Sequence, residues 1–241
     1  MKVYWSGADG NPELDVKWRS VAEYLQCFHY KTAGNIGFFI PNGAIRVEAV
    51  GWENRPATEE EIRAMQDMIR QGMAEGALGL SSGLGYPPSI WADADELIEL
   101  CKIVAEYGGV YTTHVRYGMG DGAFDGFKEA VKIGERSGVA MNISHFHCTF
   151  TTRGRSDRLL QIIDEARANG VDITFDSYPY EYGTTYLALP FLDYQCAIDK
   201  HIIYANRILL RFSQSGRISH GIWIEYDNIS FHTVLQDASI R

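Results

Sequence analysis

Val110-Tyr111-Thr112-Thr113-His114-Val115-Arg116 and Met141-Asn142-Ile143-Ser144-His145-Phe146-His147 decide how this chain folds. Each is a short apolar or β-branched run that stops at a histidine, and Gly126 to Ser137 between them reads as a helix. Strand, helix and strand in succession predict parallel strands joined by a helical crossover.

Outward from this pair the same rhythm recurs. Upstream, Val16 to Tyr30 predicts a helix, followed by the apolar run Gly37-Phe38-Phe39-Ile40, which ends at Pro41-Asn42-Gly43. Thr58 and Glu61 form a capping-box pattern for a helix with Ile62, Met65, Ile69 and Met73 on its inner face. Ala77 to Ser82 predicts a buried strand broken by Gly83 and the turn Tyr86-Pro87-Pro88. Asp93 to Tyr107 predicts a helix with Leu97, Leu100, Ile103 and Val104 inward. Downstream, Ser156 is expected to cap a helix through Ala168 with Leu159, Leu160, Ile162 and Ile163 apolar, followed by a strand from Val171 to Tyr178.

About five strand–helix units of roughly 30 residues fit either an open doubly wound sheet or part of a (β/α)8 barrel, which needs ~250 residues when complete. The expected class is α/β. After Pro190 the rhythm fails. Residues 1–193 are expected to form the βα body and 194–241 a tail, with a helix over Ile202 to Phe212 and a strand over Gly221 to Tyr226.

Bulk composition narrows the function classes. Thirty-one acidic against 22 basic residues give a net charge of -9, which argues against a nucleic-acid or anionic-membrane partner. Cys27, Cys101, Cys148 and Cys196 are widely separated with no CxxC pair, so a reducing, cytoplasmic setting is expected. No run approaches the ~18 apolar residues of a membrane span.

In parallel βα folds, ligands gather at the carboxyl ends of strands. His114 and His145 end successive strands, and Asp176-Ser177-Tyr178-Pro179-Tyr180 follows a third. Neighbouring strands lie ~4.8 Å apart, so the two imidazoles can converge on one zinc-type ion about 2.1 Å from each nitrogen. A lone strand-end histidine is more often a satisfied polar residue; two at successive ends, each after a small hydroxyl residue, bring ligation level with that reading. Alternation puts His147 on the side of His145, and Arg116 on that of His114. His29, His201, His220 and His232 read as structural or surface residues.

Several stretches together resemble a known family. Ala77-Leu78-Gly79-Leu80-Ser81-Ser82-Gly83-Leu84-Gly85-Tyr86-Pro87-Pro88, Thr113-His114-Val115-Arg116, Ile143-Ser144-His145 and Asp176-Ser177-Tyr178-Pro179-Tyr180 with Gly183-Thr184-Thr185 occur in the order of the N-acyl-D-amino-acid deacylases. Ala57 to Glu61 matches the stretch that precedes them. This is the D-aminoacylase branch of the amidohydrolase superfamily, and the likeness runs from about Trp18 to Pro190. It implies a partial (β/α)8 TIM-type barrel, zinc as cofactor, and hydrolysis of the linear amide of a small N-acyl-D-amino acid. It also implies His114 and His145 as metal ligands and Tyr86, Tyr178 and Thr184 as substrate contacts, with a core or turn role open for Thr184. Arg116 and His147 are further substrate-contact candidates.

The chain departs from the family pattern in named places. The family's early His-x-His, its ligand cysteine and its late catalytic aspartate are not matched; Cys27 does not correspond, and Asp227 is a candidate by position alone. His147 stands where the family often has lysine, and Asn42 where it commonly has histidine. An incomplete chain is therefore expected, and its activity stays open. A dihydroorotase- or hydantoinase-like cyclic amidase and a non-catalytic remnant of the barrel are the alternatives. Oligomeric state has no signal in the sequence.

Overall fold

In a computed structural model the described residues are 16–116, 120–148, 152–178, 182–185, 207–211, 222–226 and 229–233. They divide into a unit spanning Val16–Ser177 and a second that takes in the chain from Tyr178 onward. The expected boundary between residues 193 and 194 lies outside the described residues, as do Cys196, His201, His220 and Asp227.

The first unit alternates helix and strand: α1 (Val21–Gln26), β1 (Phe39–Pro41), α2 (Asn42–Ala49), α3 (Glu59–Ala74), β2 (Gly79–Gly83), α4 (Ala94–Glu106), β3 (Val110–His114), α5 (Asp125–Ser137), β4 (Ala140–Ile143), α6 (Ser156–Ala168) and β5 (Ile173–Phe175). Its five strands are parallel and ordered β1-β2-β3-β4-β5. The helix starts follow local chemistry. Thr58 Oγ1 accepts from the Glu61 amide at 3.3 Å while Glu61 Oε2 accepts from the Thr58 amide at 2.7 Å, closing the capping box. Asp93 Oδ1 does the same for α4, accepting from the Glu96 amide at 2.7 Å.

Two local expectations need correction. The first helix covers only Val21–Gln26, because the Ser20 hydroxyl caps its start and the chain turns out of helix by Tyr30, at φ 57. The apolar run does end at Pro41, where Asn42 and Gly43 enter α2, whose buried Ile45 and Arg46 outweigh the turn preference of Asn-Gly. Ser156 is the first residue of α6 rather than its cap; Arg155 holds that position with no side-chain cap bond.

Strand alternation separates two faces of the sheet. Leu80, Tyr111, Met141, Ile143 and Ile173 are buried among helix residues that include Met65, Ile69, Leu97, Leu100, Ile133, Leu159 and Ile163. Burial of this apolar surface, at about 25 cal/mol per Å², is the main force holding the unit together. On the other face Ser81, Thr112, Asn142 and Thr174 stand in register across β2 to β5, a polar row. Gly79, at φ 155, lets β2 approach β3: a Cβ there would collide with the Val110 carbonyl oxygen.

A buried ion pair fixes α2 to α4. Arg46 Nε donates to Glu96 Oε1 at 3.1 Å, with the two side chains 0% and 1% exposed. Glu96 Oε2 also accepts from the Ala57 amide at 3.1 Å. Burial raises the Glu96 carboxyl above its ordinary value even though Arg46 and the Ala57 amide pull it down.

In the second unit, β6 (Tyr182–Thr185), β7 (Arg207–Arg211), β8 (Ile222–Tyr226) and β9 (Ile229–Thr233) form an antiparallel sheet in that order. The helix expected over Ile202 to Phe212 is corrected by β7. Its short apolar run fits either period, and backbone pairing with β6 and β8 decides for strand. Among the described residues no helix is long and apolar enough to cross a membrane.

Candidate functional site

The carboxyl ends of β2, β3, β4 and β5 place the side chains singled out by the sequence. Gly83 pairs with His114 across β2 and β3, and the Leu84 amide donates to the His114 carbonyl at 2.9 Å. That ladder brings the segment after β2 over the end of β3. The Tyr86 ring centroid lies 5.1 Å from that of His114. Gly85 gives the imidazole its room, since a Cβ there would stand 2.9 Å from His114 Nε2.

The Ser144 amide donates to the Thr113 carbonyl at 3.0 Å, so the chain leaving β4 stays beside β3. His145 then takes φ 42, in the left-handed region that few side chains enter. Asp176, just past β5, supports this bend. Its Oδ1 accepts from the His145 amide at 2.7 Å, and its carbonyl accepts from the Phe146 amide at 2.7 Å. Its Oδ2 accepts from Asn142 Nδ2 at 2.8 Å.

The result is a pair of imidazoles in contact. His114 Nδ1 and His145 Nε2 are 2.8 Å apart, with ring centroids 4.6 Å apart and planes at 74°. The His147 centroid is 6.1 Å from that of His145. Burial, followed by the neighbouring His145 and His147, lowers the His114 pKa to about 4. Burial also lowers His145 and His147 below the ordinary histidine value. All three are therefore neutral near pH 7, the form in which imidazole nitrogen binds metal.

Two nitrogen donors fit part of a zinc site. Tetrahedral bonds of about 2.1 Å put the nitrogens about 3.4 Å apart, so the rings need to open only by roughly 0.6 Å. The proton they share must also move to an outer ring nitrogen. No group of three or more His, Cys, Asp or Glu side chains among the described residues is placed to hold a metal ion. Catalytic zinc sites usually have three protein ligands, so the pair fits two of the donors and no more.

The other expected contacts are distributed differently. Arg116 Nη1 and Nη2 donate to the carbonyls of Ile90 and Ala92, and its Nε to Glu129 Oε2 at 3.1 Å. These bonds clasp the segment before α4 to α5. Tyr178, 40% exposed, and Thr184, on β6 opposite Leu209, belong to the second unit. Reading the sequence did not assign roles to Asp176 and Asn42. Asn42 follows β1, is fully buried, and its amide oxygen and nitrogen have no hydrogen-bond partner among the described residues. A short polar side chain directly after a strand was the available signal for both.

Comparison with known proteins gives a consistent set of similarities. The D-aminoacylase of Alcaligenes xylosoxydans xylosoxydans is 34% identical over 173 residues, which is 71% of this chain and 35% of the relative. The crystal structure of D-aminoacylase that defines a novel subset of amidohydrolases superposes with a TM-score of 0.64 at 33% identity, over 69% of this chain and 35% of that one. N-acyl-D-glutamate deacylase from Bordetella bronchiseptica, complexed with zinc and a phosphonate mimic of the tetrahedral intermediate, superposes with a TM-score of 0.68 at 30% identity. That match covers 76% of this chain and 38% of the other. No protein-family model matches the chain.

Proposed function

Because this chain is a homologue of the D-aminoacylases and N-acyl-D-amino-acid deacylases, spanning about 35% of the length of the D-aminoacylase relative, we propose that it serves metal-dependent hydrolysis of N-acyl-D-amino acids. The products are a carboxylate and a D-amino acid. The observation carrying this reading is the 2.8 Å approach of His114 Nδ1 to His145 Nε2 at the ends of neighbouring parallel strands.

His114 and His145 would hold zinc as neutral imidazoles. When bound, zinc supplies Lewis acidity that activates water and polarises the scissile carbonyl. The neutral state of both rings at pH 7 keeps their lone pairs available without a proton having to leave the protein. Tyr86, its ring centroid 5.1 Å from that of His114, would border a substrate held at that imidazole. His147, neutral for the same reason as its neighbours, would meet a substrate carboxylate as a hydrogen-bond donor rather than as a cation. Tyr178 and Thr184 keep substrate contact as the role their motif positions imply, with a core or turn role still open for Thr184, and Arg116 keeps it from its place two residues after His114. Arg116 would exert it with the donors left over from its carbonyl and Glu129 bonds.

The absence of a third ligand group among the described residues favours a second reading, in which this polypeptide by itself is a non-catalytic part of the barrel. Zinc content and turnover of N-acetyl-D-amino acids by the purified chain separate the two. Stoichiometric zinc with deacylation supports the enzyme; zinc uptake without turnover supports the second reading. Hydrolysis of a hydantoin in preference to the N-acyl-D-amino acid would contradict both.

A further inference from the structure

We propose that Asp176 is the positioning residue of the histidine pair, its carboxylate holding His145 in the orientation that faces His114. The proposal rests on the metal-ligand reading of that pair and adds a residue to it.

The geometry has three parts. First, His145 sits at φ 42, a conformation costing about 1 kcal/mol for most side chains. It is the residue that must turn its ring back towards β3. Second, both carboxylate oxygens of Asp176 are engaged from one strand end: Oδ1 by the His145 amide at 2.7 Å, Oδ2 by Asn142 Nδ2 at 2.8 Å. Bonds of an ionised acceptor to N–H donors are about twice as strong as neutral ones. Third, the brace is itself braced. Asn142 Oδ1 accepts from Thr174 Oγ1 at 3.0 Å, and the Asp176 amide donates to the Ile143 carbonyl at 3.1 Å. The carboxylate therefore joins β4 to β5 at the point where His145 leaves the sheet.

The required chemistry is an acceptor with two oxygens. Asp176→Asn keeps the shape but turns one acceptor into a donor, facing either the His145 amide or the Asn142 amide. One of the two bonds must then break, or the Asn142 amide must turn over and give up its bond from the Thr174 hydroxyl. Outer partners of metal-binding histidines change metal affinity by about 10–100-fold when lost.

The test titrates the full chain, Asp176→Asn and Asn142→Ala with Co2+ alone, reading the visible absorption band that reports ligand geometry. The expected result is a folded Asp176→Asn chain that binds at least ~10-fold more weakly and shows a shifted band at saturation, which a merely structural residue would not produce. Asn142→Ala, which frees one carboxylate oxygen, is expected to lose affinity in the same direction and by less. A folded Asp176→Asn chain with unchanged affinity and band overturns the proposal. If that variant does not fold, unchanged affinity in Asn142→Ala overturns it. If the unaltered chain binds no Co2+, the metal reading fails instead. The positioning role is then decided by the NMR shift of the His145 amide proton, expected upfield in Asn142→Ala and Asp176→Asn; no movement overturns it.

Discussion

His114 Nδ1 lies 2.8 Å from His145 Nε2, although the two residues stand 31 positions apart in the chain. Nothing local to either segment produces this contact. It follows from β3 and β4 being parallel neighbours in register, with Thr113 opposite Ile143. Each strand then delivers the next side chain or two to the same rim.

The space for the His114 ring depends on the missing side chain at position 85. Gly85→Ala places a methyl group 2.9 Å from Nε2 and 3.4 Å from Cδ2. The ring must shift, by something on the order of 0.5 Å, which is enough to loosen a metal site. The expected outcome is an unfolding free energy within about 1 kcal/mol of the parent and zinc affinity reduced roughly tenfold. Competition with a chelating dye measures the second quantity, and unaltered affinity would show that Gly85 has no such role.

Acid should weaken the fold through the same histidines. The folded His114 pKa of about 4 lies below the ordinary histidine value of 6.5, so between those values the unfolded chain binds more protons. The stability from this group is complete above about pH 6.5 and is lost as pH falls towards 4, at up to about 1.4 kcal/mol per pH unit for one proton. His145 and His147 shift in the same direction, while Asp176 stays ionised through this window, its own pKa being lowered. Urea midpoints at pH 7.5 and pH 5.5 should differ, with a smaller difference in His114→Gln. Equal midpoints in the parent would contradict the burial of neutral imidazole.

The Arg46–Glu96 pair is a structural commitment of a different kind. Removing one partner leaves the other charge buried, and Glu96→Ala is expected to cost about 3–5 kcal/mol. Arg46→Met combined with Glu96→Leu should cost much less than the sum of the single changes. Denaturant titration of the three variants checks this; additivity would mean that the pair is not coupled.

Much of the first unit was legible in the sequence because its signals are short-range. The capping box at Thr58, the inward face of Leu97, Leu100, Ile103 and Val104, and the strand Val110–His114 all stand as read. A partial amidohydrolase barrel agrees with the five parallel strands and with the structural match to D-aminoacylase. What escaped depends on partners distant in sequence. Helix α2 forms from an Asn-Gly start because Arg46 meets Glu96, fifty positions away. The helix read over Ile202 to Phe212 yields to strand β7, whose neighbours are equally remote.

The candidate site was legible to the same depth. His114 and His145 were marked by strand ends, since a strand end is visible in a single segment. Their approach was an inference from strand spacing, and Asp176 as a brace was invisible, because its role depends on a backbone amide and an asparagine on another strand.

The central claim is that these two rings bind one ion between them. A crystal structure of the chain grown with zinc, with anomalous scattering recorded on both sides of the zinc edge, tests it most directly. The account predicts one peak about 2.1 Å from both His114 Nδ1 and His145 Nε2, which disappears in His145→Ala. Zinc located away from the pair, or rings still in mutual contact at saturating zinc, would contradict it.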